Sequence, residues 1–183
     1  GGIMGNNDSN KSIIVRCYNA GCITAVNRSN SNSFRYALAG GITGENSGAI
    51  TDCYNTGEIT ANSYFNAYHS VPLAGGIAGS NRKSINNCYN VGVIMGDRNL
   101  GGITGSNTGK LEECFNHGSI TSKSMGTCNS ESCVGGICGN NAGSILIDEA
   151  GSYGGEISSI FYGTTYVGGI CGNNTDTGSI LIE

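Results

Sequence analysis

Residues 40–60 read GGITGENSGAITDCYNTGEIT, and most of the remaining chain repeats this stretch with variations. The consensus is GGIxGxN, then GxI, then CYNxGxIT. Related copies begin at the Gly-Gly pairs of positions 1, 40, 75, 101, 135 and 168, so they start 26 to 39 residues apart. Repetition at this period is typical of stacked-repeat proteins, because one unit cannot bury its apolar face alone. The sequence predicts a single repeat domain over residues 1–183, and we expect it to be a fragment of a longer protein, since Gly1 and Glu183 both lie inside copies.

The composition narrows the class of protein. Thirty-two glycines, one proline and 12% charged residues would also fit a disordered chain. The glycines, however, stand at fixed offsets from isoleucines, which indicates turns between short strands. The net charge of −4 and nine scattered Lys and Arg residues argue against nucleic-acid binding, which needs a concentrated basic patch. No stretch approaches the roughly 20 apolar residues of a membrane-spanning helix, so no membrane insertion is expected.

Short apolar clusters within each copy predict β-strands. In residues 40–60 they lie around Ile42, from Ile50 to Tyr54, and around Ile59. These clusters are too short for helices of roughly 10 to 12 residues and fit strands of about 5. Stacking the copies in register gives an all-β parallel β-solenoid, also called a β-helix, of about six coils with three short strands per coil. At roughly 4.8 Å per coil, the stack would be about 29 Å long.

Equivalent residues of successive copies should then lie one above another. We expect two inward isoleucine ladders and two asparagine ladders, because Asn tolerates turn conformations and its amide can bond to the copies above and below. We also expect glycines 21, 57, 92 and 118 to supply positive φ angles at a corner. Ile50 and Cys53 differ in strand parity, so either a bend separates them or one of Cys53 and Tyr54 points outward. The isoleucine ladders are Ile3, Ile42, Ile77, Ile103, Ile137 and Ile170, and Ile23, Ile59, Ile94, Ile120 and Ile157; the asparagine ladders are Asn7, Asn46, Asn81, Asn107, Asn141 and Asn174, and Asn19, Asn55, Asn90 and Asn116.

The combined motif resembles the GLUG repeat family of bacterial cell-surface and secreted proteins, which includes adhesin-like proteins and the N-terminal regions of IgA-cleaving metallopeptidases. Residues 40–60, 75–95 and 101–121 match the whole motif, and the other three copies match in part. The resemblance implies an extracellular or cell-surface module packed against neighbouring repeats of the same polypeptide. It implies no catalytic residues.

Six of the nine cysteines follow the repeat, in two groups. Cys17, Cys53, Cys88 and Cys114 share one repeat position, and Cys138 and Cys171 share another. Buried thiols that pack as small apolar groups explain this pattern, with vertical disulfides as the alternative. Cys128 and Cys133 lie in an inserted stretch and could form a disulfide. The chain has no CxxC pair and no HExxH motif, so neither a metal site nor a cofactor is predicted.

Insertions between the IT of one copy and the next Gly-Gly vary in length, so they should emerge from one edge of the stack. They carry aromatic residues, which we interpret as a candidate surface for a host glycan or protein. The alternative is that the rings fold back and cap an exposed edge. The third copy has the shortest insertion, which predicts a notch floored by Asp97 and Arg98. The candidate aromatic residues are Phe34, Tyr36, Tyr64, Phe65 and Tyr68.

Parallel solenoids can also carry polysaccharide-cleaving sites, which need clustered carboxylates. The closest acid pairs are Glu112-Glu113 and Asp148-Glu149, and a mixed-charge row precedes the repeated cysteine at Arg16, Asp52, Asn87 and Glu113. We interpret these groups as solvated faces. The sequence favours a non-catalytic bacterial cell-surface module that acts as a spacer or an adhesive segment. The alternatives are a polysaccharide-active β-helix enzyme and an accessory region of a secreted protease.

Overall fold

Short strands stacked in parallel are the regular secondary structure of the described residues. The computed structural model describes residues 1–28, 35–63, 70–124, 131–147, 154–161 and 163–182. These residues form strands β1 to β26 and contain no helix. The strands belong to five parallel sheets, numbered 1 to 5 in the order in which the chain visits them. The predicted all-β parallel β-solenoid is confirmed.

Sheets 1, 2 and 3 follow one another along each coil. Sheet 1 contains β1 (Met4–Asn7), β6 (Thr43–Asn46), β11 (Ala78–Asn81), β16 (Thr104–Asn107), β21 (Cys138–Asn141) and β25 (Cys171–Asn174). Sheet 2 contains β2 (Ile13–Val15), β7 (Ala49–Thr51), β12 (Ser84–Asn86), β17 (Lys110–Glu112), β22 (Ser144–Ile147) and β26 (Ser179–Ile182). Sheet 3 contains β3 (Tyr18–Asn19), β8 (Tyr54–Asn55), β13 (Tyr89–Asn90) and β18 (Phe115–Asn116).

Sheets 4 and 5 complete the coil. Sheet 4 contains β4 (Ile23–Asn27), β9 (Ile59–Ser63), β14 (Ile94–Gly96), β19 (Ile120–Ser124) and β23 (Ile157–Phe161). Sheet 5 contains β5 (Arg35–Gly40), β10 (Ser70–Gly75), β15 (Asn99–Gly101), β20 (Ser132–Gly135) and β24 (Thr165–Gly168).

The coil differs in detail from the sequence expectation. Four coils contain all five strands; in the described residues the fifth lacks a sheet 3 strand, and the sixth contributes only β25 and β26. Three strands per coil is therefore wrong, for two reasons. A corner divides the cluster from Ile50 to Tyr54 into β7 and β8, and part of each insertion pairs with its neighbours to form sheet 5.

The corner between sheets 2 and 3 resolves the parity problem. Asp52 has a φ of 53°, and its equivalents Arg16, Asn87 and Glu113 have φ between 47° and 52°. Because the chain bends at this residue, Ile50 before it and Cys53 after it both point inward and are fully buried. Left-handed conformations are uncommon in residues other than glycine, and asparagine and aspartate tolerate them best.

The expected role of the glycines at 21, 57, 92 and 118 is wrong. None of them has a positive φ. A Cβ atom at Gly57 would lie 2.1 Å from the carbonyl oxygen of Gly21, and one at Gly92 would lie 2.0 Å from that of Gly57. Glycine is required there because the backbones of adjacent coils approach closely.

Two apolar cores run parallel to the stacking direction. One is enclosed by sheets 1, 2 and 3 and contains Ile42, Ile50 and their equivalents in other coils. The other lies between sheets 4 and 5 and contains Ala39, Ile59 and their equivalents. Each fully buried isoleucine contributes about 1.5 to 3 kcal/mol of stability relative to an exposed one. Burial of the isoleucine ladders thus contributes much of the free energy that stabilises the stack of coils.

Both isoleucine ladders are confirmed. The amide of Ile42 donates to the carbonyl of Ile77, and that of Ile77 donates to Ile103, each at 3.0 Å. In the second ladder, Ile23, Ile59, Ile94, Ile120 and Ile157 are register partners of one another in sheet 4. The first and last coils cover their isoleucines least, and Ile3 is 47% exposed.

Candidate functional site

The edge between sheets 4 and 5 is where the coils differ most. Strands on both sides of this edge keep their register from coil to coil, as in the pairing of β5 with β10 and of β4 with β9. The connections between the two sheets nevertheless differ in length. We call this line of connections the variable edge; it comprises residues 28–34, 64–69, 97–98, 125–131 and 162–164.

Most of the aromatic candidates belong to the longer connections. Phe34, Tyr64, Phe65 and Tyr68 lie outside the described residues, so their role in binding stays a prediction. Tyr36 is described: it lies on β5, next to the first connection, and is 60% exposed. The structure thus places one candidate ring on the surface beside the variable edge.

The shortest connection, Asp97 and Arg98, is tied to the neighbouring coils. The backbone amide of Ser63 donates to the Asp97 carboxylate at 2.5 Å. Burial raises the pKa of Asp97, and this hydrogen bond opposes the rise. The Arg98 guanidinium donates to the carbonyl oxygens of Ser70 at 2.6 Å and Glu131 at 3.2 Å. Both side chains therefore hold adjacent coils together at the edge.

A cleft of about 240 Å³ adjoins this connection on the outer face of sheet 4. Asp97 lines it, as the predicted notch requires, whereas Arg98 does not. Its remaining lining residues are Thr60, Asn62, Met95, Gly96, Thr121 and Lys123. The cleft is a small polar depression with one carboxylate.

A second cleft, of about 280 Å³, lies where the outer faces of sheets 5 and 1 meet. We call it the outer groove. Its apolar part is formed by Tyr36, Leu38 and Leu73, and its polar part by Glu45, Ser80, Arg82, Ser106 and Thr108. The Arg82 guanidinium forms an ion pair with Glu45 at 2.7 Å. An exposed aromatic ring beside hydroxyl groups and an ion pair could bind a ligand with both apolar and polar surfaces.

Sequence reasoning identified Tyr36 but missed the rest of the outer groove. Leu38 and Leu73 looked like ordinary residues of an insertion, and Glu45 and Arg82 occupy variable positions of the repeat. Their proximity depends on the angle at which sheet 5 meets sheet 1. No short motif in the sequence encodes that angle.

Of the carboxylates considered for catalysis, those that the structure describes line neither of these two clefts. Glu112 accepts from the Lys110 ammonium at 2.8 Å, and this hydrogen bond lowers the pKa of Glu112. Glu113 lies at the exposed corner between sheets 2 and 3. Asp148 and Glu149 lie outside the described residues. Where the structure is described, no group of three or more His, Cys, Asp or Glu side chains could hold a metal ion.

The repeated cysteines form a column of thiols inside the first core. Cys53 and Cys88 are fully buried, and Cys114 is 2% exposed. The backbone amide of Cys53 donates to the sulfur of Cys88 at 3.4 Å. All three are free thiols, as are Cys138 and Cys171 in the second group. Cys133 is buried and is also a free thiol, so the predicted disulfide with Cys128, which lies outside the described residues, is not formed in this structure.

The fold and its clefts define a parallel β-solenoid repeat protein. Comparison with protein-family models, with curated proteins and with solved structures finds no match to this chain. Within the described ranges, no helix has the length and apolar character needed to cross a membrane.

Proposed function

We propose that this chain is a non-catalytic module of a bacterial cell-surface or secreted protein, in which a stiff solenoid acts as a spacer and presents a binding edge. The observation that carries the proposal is the variable edge. Constant strand register combined with connections of different lengths is the arrangement of a scaffold that supports variable binding loops. The resemblance of the repeat to the GLUG family supports the extracellular location.

Stiffness follows from the bonds between coils. Parallel sheets join every coil to the next, and two columns of buried asparagines add side-chain hydrogen bonds along the same direction. Buried amides that are fully hydrogen-bonded rigidify the structure around them. Such a stack can hold a binding surface at a fixed distance from its attachment.

The carboxylate geometry favours this function over a polysaccharide-cleaving enzyme. Glycosidases place two carboxyl groups roughly 5 to 10 Å apart across the scissile bond. Each of the two described clefts contains one carboxylate, Asp97 or Glu45, and Glu45 is paired with Arg82. Release of new reducing ends from a panel of polysaccharides incubated with the protein would contradict the non-catalytic proposal.

The adhesive part of the proposal is tested at residues 64–69, the connection with the most aromatic residues. The triple variant Tyr64→Ala, Phe65→Ala and Tyr68→Ala should weaken binding to an array of mammalian glycans at least tenfold, because aromatic side chains supply much of the contact energy in such surfaces. Circular dichroism and the melting temperature should stay unchanged. The matched control is Ile13→Ala, which removes an exposed apolar side chain from sheet 2, away from the variable edge.

Two outcomes would contradict the assignment to the loop. Unchanged binding by a folded triple variant would show that the loop rings are not the contact surface. Loss of the folded state would show that the rings cap the edge of the stack instead.

The outer groove is a second place where binding could occur. Its combination of the exposed Tyr36 ring with the Glu45–Arg82 ion pair favours a ligand such as a sugar, which offers both apolar faces and hydroxyl groups. Tyr36→Ala combined with Arg82→Ala tests the groove on the same glycan array. Loss of binding in this variant, but not in the triple variant, would move the site from the loop to the groove.

An accessory region of a secreted protease remains the other alternative. A catalytic domain with a metallopeptidase motif such as HExxH in the same polypeptide would favour this alternative.

A further inference from the structure

Sheet 3 carries an exposed column of stacked aromatic rings. The ring centroids of Tyr18 and Tyr54 are 5.2 Å apart, those of Tyr54 and Tyr89 are 4.9 Å apart, and the planes are parallel within 10°. Phe115 continues the column in register with Tyr89. Tyr18 is 59% exposed and Tyr89 is 40% exposed. The faces of these rings contact one another, so the edges of the rings are what a partner would contact.

Apolar surface continues beside the column. Val91 and Val93, on the next stretch of the third coil, are 44% and 40% exposed. The equivalent residues of the second coil are Thr56 and the exposed Glu58, so this extension is confined to the third coil. The ring column with its charged border is the part of this surface suited to binding another protein. Sugars stack on ring faces, which are occupied here between adjacent coils, so the column is poorly suited to a glycan.

The border of this surface is the corner row of Arg16, Asp52, Asn87 and Glu113. Its four residues stack one above another. The backbone amide of Asp52 donates to the carbonyl oxygen of Asn86, the residue before Asn87, and the amide of Asn87 donates to the carbonyl oxygen of Glu112, the residue before Glu113. All four are exposed. The row begins with a positive charge in the first coil and ends with a negative charge in the fourth, so it has electrostatic polarity along the stack.

We propose that two copies of this chain associate through the sheet 3 face, with their stacks antiparallel. The two-fold axis lies in the plane of contact, perpendicular to the stacking direction and between the second and third coils. This operation places Arg16 of one copy opposite Glu113 of the other, twice. It also places Asp52 opposite Asn87, which already donates to Asp52 within each chain at 2.6 Å.

The charge pattern and the repeat spacing select this partner and orientation. A second copy has the same coil spacing, so every ring of one column meets a ring of the other. The antiparallel arrangement pairs opposite charges at both ends of the row, as an isologous two-fold interface requires.

The size of the surface sets the expected affinity. Four coils of roughly 4.8 Å and about seven residues of roughly 3.3 Å give a contact of about 400 Å² per copy. A stable interface buries about 800 Å² per partner, so association should be weak, with a dissociation constant on the order of 100 μM. Many copies on one surface would raise the effective concentration and make such a contact significant.

Charge reversal with rescue tests the proposal by sedimentation equilibrium of the 183-residue chain. The wild-type protein should self-associate, and Arg16→Glu or Glu113→Arg alone should weaken association at least tenfold, because each variant creates two like-charge contacts. The double variant should restore association to within about threefold of wild type. Both substitutions suit the backbone, since Glu and Arg already occupy this corner in other coils.

The matched control is Arg35→Glu, which reverses an exposed charge on sheet 5 and should leave association unchanged. A wild-type chain that is monomeric at about 1 mM would overturn the proposal. So would single reversals without effect, or a double variant no better than the single ones. Association that is weakened equally by Arg35→Glu would show a general charge effect and would also overturn it.

Discussion

Each buried asparagine joins three parts of the structure. The side-chain amide of Asn46 donates to the side-chain oxygen of Asn81 and to the carbonyl of Gly48, both at 2.8 Å. Its own oxygen accepts from Asn7 in the coil before and from the amide of Gly48. The second ladder repeats this arrangement at Asn55 and Asn90. One residue type therefore closes a local turn and links adjacent coils.

Replacing Asn81 with alanine should lower the free energy of unfolding by about 2 to 4 kcal/mol. The change removes hydrogen bonds to Asn46 and Asn107 and leaves each of these buried amide groups one hydrogen bond short, which costs more than the bonds contribute. Urea denaturation measures the loss. Asn86→Ala is the control, because Asn86 is half-buried on the outer face and should cost less than about 1 kcal/mol. Equal losses in the two variants would contradict the role of the ladder.

Glycines at one repeat position should differ in their tolerance of alanine. A Cβ at Gly92 would meet the Gly57 carbonyl oxygen at 2.0 Å, so Gly92→Ala should destabilise the protein by at least about 2 kcal/mol. At Gly21, in the first coil, the nearest atom is 3.6 Å away, and Gly21→Ala should change stability by less than about 1 kcal/mol. Thermal unfolding of the two variants provides the comparison. Similar melting temperatures would show that close approach of coils is not what requires glycine.

For single residues, the sequence predicts which residues stack on one another better than it predicts why each residue type is needed. Identical spacing was sufficient to predict the isoleucine and asparagine ladders. It could not show why glycine occurs two residues after each asparagine of the second ladder, because a positive φ angle and a close backbone contact both require glycine. The left-handed residues are Arg16, Asp52, Asn87 and Glu113, whose types vary too much to reveal a common conformation.

The column of cysteines is an element whose stability depends on protonation. Burial raises the pKa of Cys114 in this column to about 12, and burial also raises the pKa of Cys133, a free thiol on sheet 5, to about 11. Hydrogen bonding with the Cys53 thiol, together with burial, raises the pKa of Cys88. An unfolded chain ionises its thiols near pH 8.5. The folded state therefore holds thiol protons that the unfolded state has lost over this alkaline range.

Stability should consequently fall as the pH rises from about 9 towards 12. The contribution of each raised thiol is fully present below the pKa of the unfolded thiol and is lost as the pH rises through the folded value. Urea denaturation at pH 8 and pH 10 should show a loss of at least about 1 kcal/mol. The Cys114→Ala variant should lose less over the same interval, and equal losses would contradict the assignment to this thiol.

The strands show a similar limit of sequence reasoning. Apolar clusters of three to six residues predicted strands and not helices, and none of the described residues is helical. Sheet 5 was missed because its outer residues, such as Tyr36 and Leu38, looked like parts of insertions. Its strands exist because β5 and β10 pair with each other along their whole length, a contact between residues 35 apart in sequence.

For the whole molecule, repetition is what made the fold predictable. Six related copies of one sequence motif need equivalent environments, and stacking the copies provides these environments around a continuous core. The function is less accessible, because residues that bind a ligand need not repeat. Tyr36 and Asp97 could be selected from sequence, but the outer groove depends on how two sheets meet, and the proposed antiparallel contact depends on charges that lie three coils apart.

Couplings across hydrogen bonds in a ¹³C,¹⁵N-labelled sample test the central claim most directly, since they identify donor and acceptor pairs by NMR. In-register stacking predicts couplings from the amide nitrogen of Ile42 to the carbonyl carbon of Ile77, from Ile77 to Ile103, and from Ile103 to Ile137. Couplings to carbonyls four residues earlier in the chain, or from these three amides to residues at unrelated repeat positions, would contradict the solenoid.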